Sequence, residues 1–311
     1  MILVTGATGF IGKRVVARLV GAGHEVRCLV RPAYKERTLP PGIQVHLAAG
    51  DLADPPALRV AMHRVDAIIH LASIWIERDQ RTFESVNVHG TQNLIEAAHE
   101  ARVSRLIFLS YPNADRNSAY AFLRSKGLAE EAVKSSGLKY TILRPSWVYG
   151  PEDGWTTRMA MTLQSVPFAF PVAGDGQARV QPLWVDDLAV CIEQCASAPR
   201  TVGQTITLGG PGYFAVHDVL DVMAQILKTH RRKLHVRIPL ARQIAKMMER
   251  TMLHPLLTTT QVDLLNVDTT TDLGSVSRNF GFEPSRFADS LDYLSNQPWR
   301  RRFWASFFSR Y

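Results

Sequence analysis

Glycines at positions 6, 9 and 12, directly behind the apolar run Ile2-Leu-Val4, constrain this chain more than any other feature. A short run of this kind can fill a buried parallel strand. Thr5 and Gly6 then turn the chain toward a helix predicted to begin near Phe10. In such a strand–turn–helix each glycine has a steric task. One makes the tight turn, one lets the backbone approach a pyrophosphate, and one lets helix and strand pack closely. The helix start adds unpaired N–H groups and the positive end of its dipole, which suit phosphate. Gly6, Thr8, Gly9, Phe10 and Ile11 are therefore candidate dinucleotide contacts. The bland alternative is an ordinary Gly-rich turn between strand and helix, and the flanking patterns argue against it.

With 311 residues, 46% of them apolar, the chain can hold one large α/β domain with a smaller lobe, or two ordinary domains. No apolar run reaches the ~18 residues that span a bilayer. With the nucleotide-type strand starting at Ile2, no signal or transit peptide is expected. Cys28, Cys191 and Cys195 cannot form a disulfide framework. The last two stand one helical turn apart and are expected to pack as small apolar residues. The histidines show no paired ligand spacing, so no metal is expected. These features read as a soluble, cytoplasmic protein. The formal charge of +8 suits anionic ligands or surfaces. No nucleic-acid-binding motif accompanies it, so no nucleic-acid partner is expected.

Along the chain, a helix over 10–20 and a strand over 25–30 lead to Arg31. In dinucleotide folds the residue ending this strand faces the adenosine ribose, where an acid bonds the 2′-hydroxyl of NAD and a cation accommodates the 2′-phosphate of NADP. Arg31, followed by Lys35 and Arg37, favours NADP, with NAD as the alternative. A third strand over 44–47 leads to Asp51, which could accept from an adenine amino group, and Leu52. A fourth, over 67–71, ends in Ala72 and Ser73, small residues beside which a cofactor can lie. An amphipathic helix over 87–101 and strands over 106–109 and 140–143 complete a doubly wound parallel Rossmann sheet. Candidate ligand positions gather at the strand C-terminal ends, where such folds bind. After Gly150 the rhythm becomes turn-rich, with helical patterns over 218–227 and 240–252. We therefore expect a Rossmann domain over 1–150, a smaller C-terminal α/β lobe over 151–295, interleaved with the sheet, and a terminal helix over 296–311.

These pieces resemble the extended and atypical short-chain dehydrogenase/reductase superfamily, of NAD-dependent epimerase/dehydratase type. The matching stretches are Thr5-Gly-Ala-Thr-Gly-Phe-Ile-Gly12, Gly50-Asp-Leu52, His70-Leu-Ala-Ser73, Asn87-Val-His-Gly-Thr91, Leu143-Arg-Pro-Ser146 with Gly150, and Trp184-Val-Asp-Asp-Leu188. Phe122-Leu-Arg-Ser-Lys126, Leu208-Gly-Gly-Pro-Gly212 and the helix from Pro239 are similar to the branch containing the nucleotide-binding accessory subunit of respiratory complex I. The resemblance implies cofactor contacts from Ser110, Lys126, Pro145, Ser146 and Val148, and catalytic support from Lys126 and Ser110. It also implies a tyrosine four residues before the lysine, its pKa lowered for proton exchange. This chain has Phe122 there, which carries no proton. Tyr120 lies about 200° around a helix from that position.

Asp186 and Asp187 read as helix-capping acids before 188–196, and Arg144 as an ion-pair partner or a neighbour of the nicotinamide. Met159, Met161, Phe168 and Phe170 hint at an apolar substrate. At the C-terminus Trp299, Phe303, Trp304, Phe307, Phe308 and Tyr311 are spaced for one helix face, opposite Arg300, Arg301, Arg302 and Arg310. Such a helix suits self-docking, a protein partner's groove or an anionic membrane surface, which would make the protein peripheral. Two function classes stay open: an oxidoreductase or epimerase/dehydratase-like enzyme with a weakened catalytic motif and an unknown small-molecule substrate, and a non-catalytic nucleotide-binding subunit of a membrane-associated complex. Oligomeric state is left open.

Overall fold

The computed structural model describes residues 1–31, 39 and 42–306, with the helical backbone of 307–308. Lys35, Arg37, Arg310, Tyr311 and the side chains of Phe307 and Phe308 lie outside the described residues. In chain order the elements begin β1 (Ile2–Thr5), α1 (Phe10–Gly21), β2 (Val26–Val30), β3 (His46–Ala49) and α2 (Pro55–Ala61). Next come β4 (Ala67–His70), a π-helical turn (Glu84–His89), α3 (Gly90–Glu100), β5 (Arg105–Leu109), α4 (Ala121–Ser135) and β6 (Lys139–Pro145). They continue with β7 (Val148–Tyr149), α5 (Thr156–Ser165), β8 (Ala169–Ala173), β9 (Arg179–Val180), β10 (Leu183–Trp184), α6 (Val185–Ser197) and β11 (Gln204–Leu208). The chain ends with β12 (Phe214–Ala215), α7 (Val216–Ile226), β13 (Arg232–Val236), α8 (Ile238–Thr251), α9 (Thr259–Leu264), α10 (Ser275–Phe280) and α11 (Trp299–Phe308). Two compact units result: Met1–Pro145 with Val185–Leu208, and Ser146–Trp184 with Gly209–Tyr311.

The first unit carries a seven-stranded sheet in the order β11-β6-β5-β4-β1-β2-β3. Every pairing in it is parallel. β1 and β4 are the neighbours between which strand order reverses, the place where an open α/β sheet receives a ligand. The strands β1 and β4 are buried along their whole length, as strands covered on both faces must be. Helices α2, α3 and α4 form one layer, and α1 packs with α6 in the other. Leu3, Leu58, Leu94, Leu106 and Ile142 knit the first layer to the sheet, all fully buried. Asp54 caps α2 by accepting from Ala57 N–H at 3.1 Å.

Four elements differ from expectation. Strand β3 spans His46–Ala49 rather than 44–47, because its pairing with Arg27–Val30 carries it to Gly50, whose N–H bonds Val30 O at 3.0 Å. The helix expected from Asn87 begins earlier, in the π-helical turn, where Asn87 is buried. Strand β11 adds to the expected strands at the sheet edge, where Gln204-Thr-Ile-Thr-Leu208 alternates as a half-buried edge strand should. Asp186 and Asp187 stand inside the first turn of α6 rather than before it, where a helix dipole favours acids.

In the second unit β8 and β13 pair in parallel, and Trp147, Tyr149, Met159, Leu220, Leu291 and Trp299 belong to one core cluster. The terminal helix α11 packs on α5. Trp299 and Phe303 are buried while Trp304 is 57% exposed. Adjacent helical residues stand about 100° apart, so the aromatic stripe is not a single face. Trp299 Nε1 donates to Leu294 O at 2.8 Å, and Arg300 Nε to Gln164 O at 2.9 Å. The apolar hint divides in the same way: Met159 and Phe170 are buried, but Phe168 is 85% exposed. Cys191 and Cys195 are buried and unbridged, as small apolar residues of α6.

The start of α1 sets a test of the packing. A Cβ at position 12 would fall 2.1 Å from Gly6 O, whereas one at position 21 would meet nothing within 4 Å. Gly12→Ala should lower stability by about 1–3 kcal/mol through overpacking, and Gly21→Ala should be neutral or raise it by up to about 1 kcal/mol. Urea denaturation of both variants measures this; equal effects would contradict the close approach at Gly12.

Candidate functional site

The turn after β1 separates the three glycine tasks. Gly6 has φ +71°, and a Cβ there would come within 2.7 Å of Ala72 N. It therefore serves both the turn and the close approach to the end of β4. Gly12 holds the start of α1 against the turn. A Cβ on Gly9 would meet only Gly6 O, at 3.3 Å. Gly9 is exposed and caps α1, with no side chain bonding the helix end. The N-terminus of α1, formed by Phe10 and Ile11 with Thr8 just before, is thus a backbone cradle open on the side where a pyrophosphate would lie. A dinucleotide fits this donor set.

Behind the cradle, a buried polar chain fixes the end of β4. Thr91 Oγ1 donates to Asn87 O at 2.6 Å and so is left to accept from His70 Nε2 at 3.0 Å. That makes His70 Nδ1 the acceptor for Thr5 Oγ1, 2.6 Å away. Burial, then the charge of Lys126, pushes the imidazole pKa down to about 3, so it stays neutral. Asn87 completes the frame. Its Oδ1 accepts from Ser73 Oγ and Ile74 N, both at 3.0 Å, and its Nδ2 donates to Ser125 Oγ at 3.0 Å. One side chain thereby ties the loop after β4, which carries Ala72 and Ser73, to α4.

At the end of β3, Asp51 accepts from Arg81 Nη1 at 2.9 Å and Ala53 N at 3.1 Å. Burial pushes its carboxyl pKa up, but these bonds and the Arg31 charge outweigh it and hold the group below its ordinary value. Arg31, at the end of β2, is therefore close enough to share a field with Asp51. Leu52 is committed elsewhere: its side chain packs in the core against Gly90, and its carbonyl accepts from Asn93 Nδ2 at 2.9 Å.

The ends of β5 and α4 meet around Lys126. Its Nζ donates to Leu109 O at 2.7 Å and stands 4.4 Å from the centroid of the Phe108 ring. Burial lowers its pKa to about 7, opposed by the nearby Glu130 carboxylate. Glu130 itself is held by Arg144 at 2.7 Å (Nε) and 2.6 Å (Nη2), which makes Arg144 an ion-pair partner. Ser110 Oγ is buried with no hydrogen-bond partner among the described residues. Such an orphan requires explanation, and an incoming polar ligand would supply its partner.

Four residues before Lys126, Phe122 is 4% exposed inside an aromatic box. Trp75 stacks on it at 4.6 Å between centroids, while Phe83 and Tyr111 present edges at 5.8 and 5.7 Å. Tyr120 is no substitute: helix α4 starts at Ala121, and Tyr120 precedes it in extended conformation. Burial raises the pKa of the Tyr111 phenol, making it a weak acid.

Pro145 ends β6 in the first unit. Ser146 and Val148 belong to the second. There Ser146 Oγ donates to Thr269 Oγ1 at 3.2 Å and accepts from Gln181 N at 3.2 Å; Val148 pairs with Leu183. Sequence reasoning assigned no site role to Trp75, Arg81 or Asn87. Asn87 sat within a matched motif and could have been found; nothing in the local pattern marked Trp75 or Arg81.

Residues 2–209 match the model of the NAD dependent epimerase/dehydratase family. The chain is 29% identical over 249 residues to NADH dehydrogenase (ubiquinone) 1 alpha subcomplex subunit 9, mitochondrial, of Arabidopsis thaliana, covering 78% of this chain and 61% of that protein. It is 27% identical over 258 residues to 2-alkyl-3-oxoalkanoate reductase of Shewanella oneidensis, covering 72% of this chain and 63% of that one. The chain thus spans about three fifths of the length of each. The NADPH-dependent quinone oxidoreductase of Escherichia coli, solved with NADPH, shares the fold at TM-score 0.75 and 21% identity, over 95% of this chain and 100% of that chain.

Lys126 yields a pH test. Its folded pKa of about 7 lies below the ordinary 10.5, so between these values the unfolded chain binds more protons and stability rises with pH. Relative to Lys126→Met, the wild type should therefore gain stability from pH 7 to about pH 9.5 in urea titrations. A difference that is the same at both pH values would rule out a buried, nearly neutral amine.

Proposed function

Because the chain belongs to the NAD dependent epimerase/dehydratase family, we propose that it binds a nicotinamide dinucleotide at the switch point of its sheet, as a holder rather than an efficient catalyst. The observation that carries this reading is Phe122, a buried ring where the proton-donating tyrosine of such sites is expected. In this reading the amides of Phe10 and Ile11 hold the pyrophosphate, Asp51 faces the adenine, and Lys126 holds the ribose. Arg31 accommodates a 2′-phosphate, which favours NADP(H) over NAD(H). The bound nucleotide supplies hydride chemistry. The chain supplies orientation and, through the aromatic box, exclusion of water.

The name of the Arabidopsis relative, a subunit of an NADH dehydrogenase subcomplex, supports a role as a component of a protein assembly. Among the described residues no helix is long and apolar enough to cross a membrane. The exposed Trp304, Arg301 and Arg302 of α11 support contact with a partner protein or an anionic surface. A second reading, slow reduction of a carbonyl, is favoured by one observation: the unpartnered Ser110 hydroxyl is suited to polarise a substrate oxygen. The Shewanella relative, a reductase of 2-alkyl-3-oxoalkanoates by name, points the same way.

Mass spectrometry of nucleotide extracted from gently purified protein should detect NADP(H), retained and unchanged after incubation with cell extract. Recovery of NAD(H) would overturn the Arg31 reading, and absence of nucleotide the holder reading. Carbonyl reduction by the wild type should be undetectable or slow. Phe122→Tyr should raise it about 10²-fold if only the general acid is missing, and no gain across a panel of carbonyls would leave holding as the function.

A further inference from the structure

The second unit contains a cavity of about 270 Å³, whose walls come from α5, β8, α7, β13, α8, α9 and α11. Met159, Phe170, Leu220, Ala241 and Phe303 give it an almost wholly apolar lining. The polar exceptions are Thr162, Gln261 and the one cation of the lining, the half-buried Arg158 on α5. A cavity built only to be filled by core side chains has no use for a guanidinium, which loses hydration there.

The guanidinium is held in place. Arg158 Nη1 donates to Gln261 Oε1 at 3.1 Å. Gln261 is itself locked, with Oε1 also accepting from Thr258 N at 3.0 Å and Nε2 donating to Gly154 O at 3.1 Å. The nearby acid does not neutralise Arg158 by contact. Both Asp153 oxygens are committed to the start of α5, accepting from Gly150, Trp155 and Thr157 N–H groups and from Thr156 Oγ1 at 2.7–3.2 Å. An arginine has five N–H donors. Among the described residues the bond to Gln261 is the hydrogen bond that the Arg158 guanidinium makes, so a forked donor set is left for something that enters the cavity.

We propose that this cavity binds a medium-length aliphatic carboxylate, its chain along the apolar walls and its carboxylate against Arg158. The volume of about 270 Å³ equals about nine water-sized units of 30 Å³, enough for a chain of roughly eight to ten carbons. A carboxylate is the head group that a planar guanidinium recognises through paired hydrogen bonds. This site lies within the second unit and does not depend on the dinucleotide reading.

Calorimetric titration of the delipidated full-length protein with decanoate and with decanol tests it. Decanoate should bind at least tenfold more tightly than decanol. Arg158→Gln should abolish that preference while leaving decanol binding unchanged, and Ala241→Phe, which fills the cavity, should lose both. Nucleotide retention in the same variants reports separately on the first unit. The wild-type comparison needs no variant to fold: absence of decanoate binding, or equal affinity for the acid and the alcohol, overturns the proposal.

Discussion

Gly6 O stands where a Cβ of residue 12 would be, 2.1 Å from its ideal position, and much of the first unit depends on that contact. It sets the first turn of α1 directly on the end of β1. The helix dipole then points at the place where β1 and β4 diverge. Gly6 in turn touches the backbone at Ala72, so the ends of two strands and the start of a helix form one rigid floor. Gly9 alone of the three is exposed, which leaves that side of the floor clear, as the proposed pyrophosphate site requires.

Polar side chains above this floor do what backbone bonding cannot. His70, Thr5 and Thr91 are bonded in one direction because each hydroxyl has one proton to give, and the neutral imidazole follows from its burial. Asn87 extends the frame from the loop after β4 to α4. Lys126 therefore arrives at the site on a helix whose position is already determined. One turn further along α4, the buried Glu130 accepts from Arg144 and from Lys134, and the Arg144 bonds tie this helix to β6. Within this frame Phe122 is itself a packing element, with three neighbouring rings against it.

The two units use arginine differently. Arg144 is consumed by a buried carboxylate, whereas Arg158 meets a neutral amide and keeps donors to spare. Sequence alone singles out Arg144, in the stretch Leu143-Arg-Pro-Ser146, and gives Arg158 no role. What separates them is the partner each meets across the fold.

The doubly wound sheet, the glycine turn between β1 and α1 and the lysine of α4 were legible in the sequence because they rest on local physics. Strand periodicity, turn sterics and helix spacing act over a few residues. So does the absence of a phenol at Phe122, which is a matter of covalent identity. The edge strand β11, the two-residue shift of β3, the outward turn of Trp304 and the roles of Trp75, Arg81 and Asn87 were decided by tertiary structure. Each depends on a partner distant in sequence: β6 for β11, β2 for β3, Asp51 for Arg81, Phe122 for Trp75. Sequence by itself determined which groups this protein can present; the long-range contacts decided which are spent on one another and which face a ligand, because that accounting is settled only when partners meet.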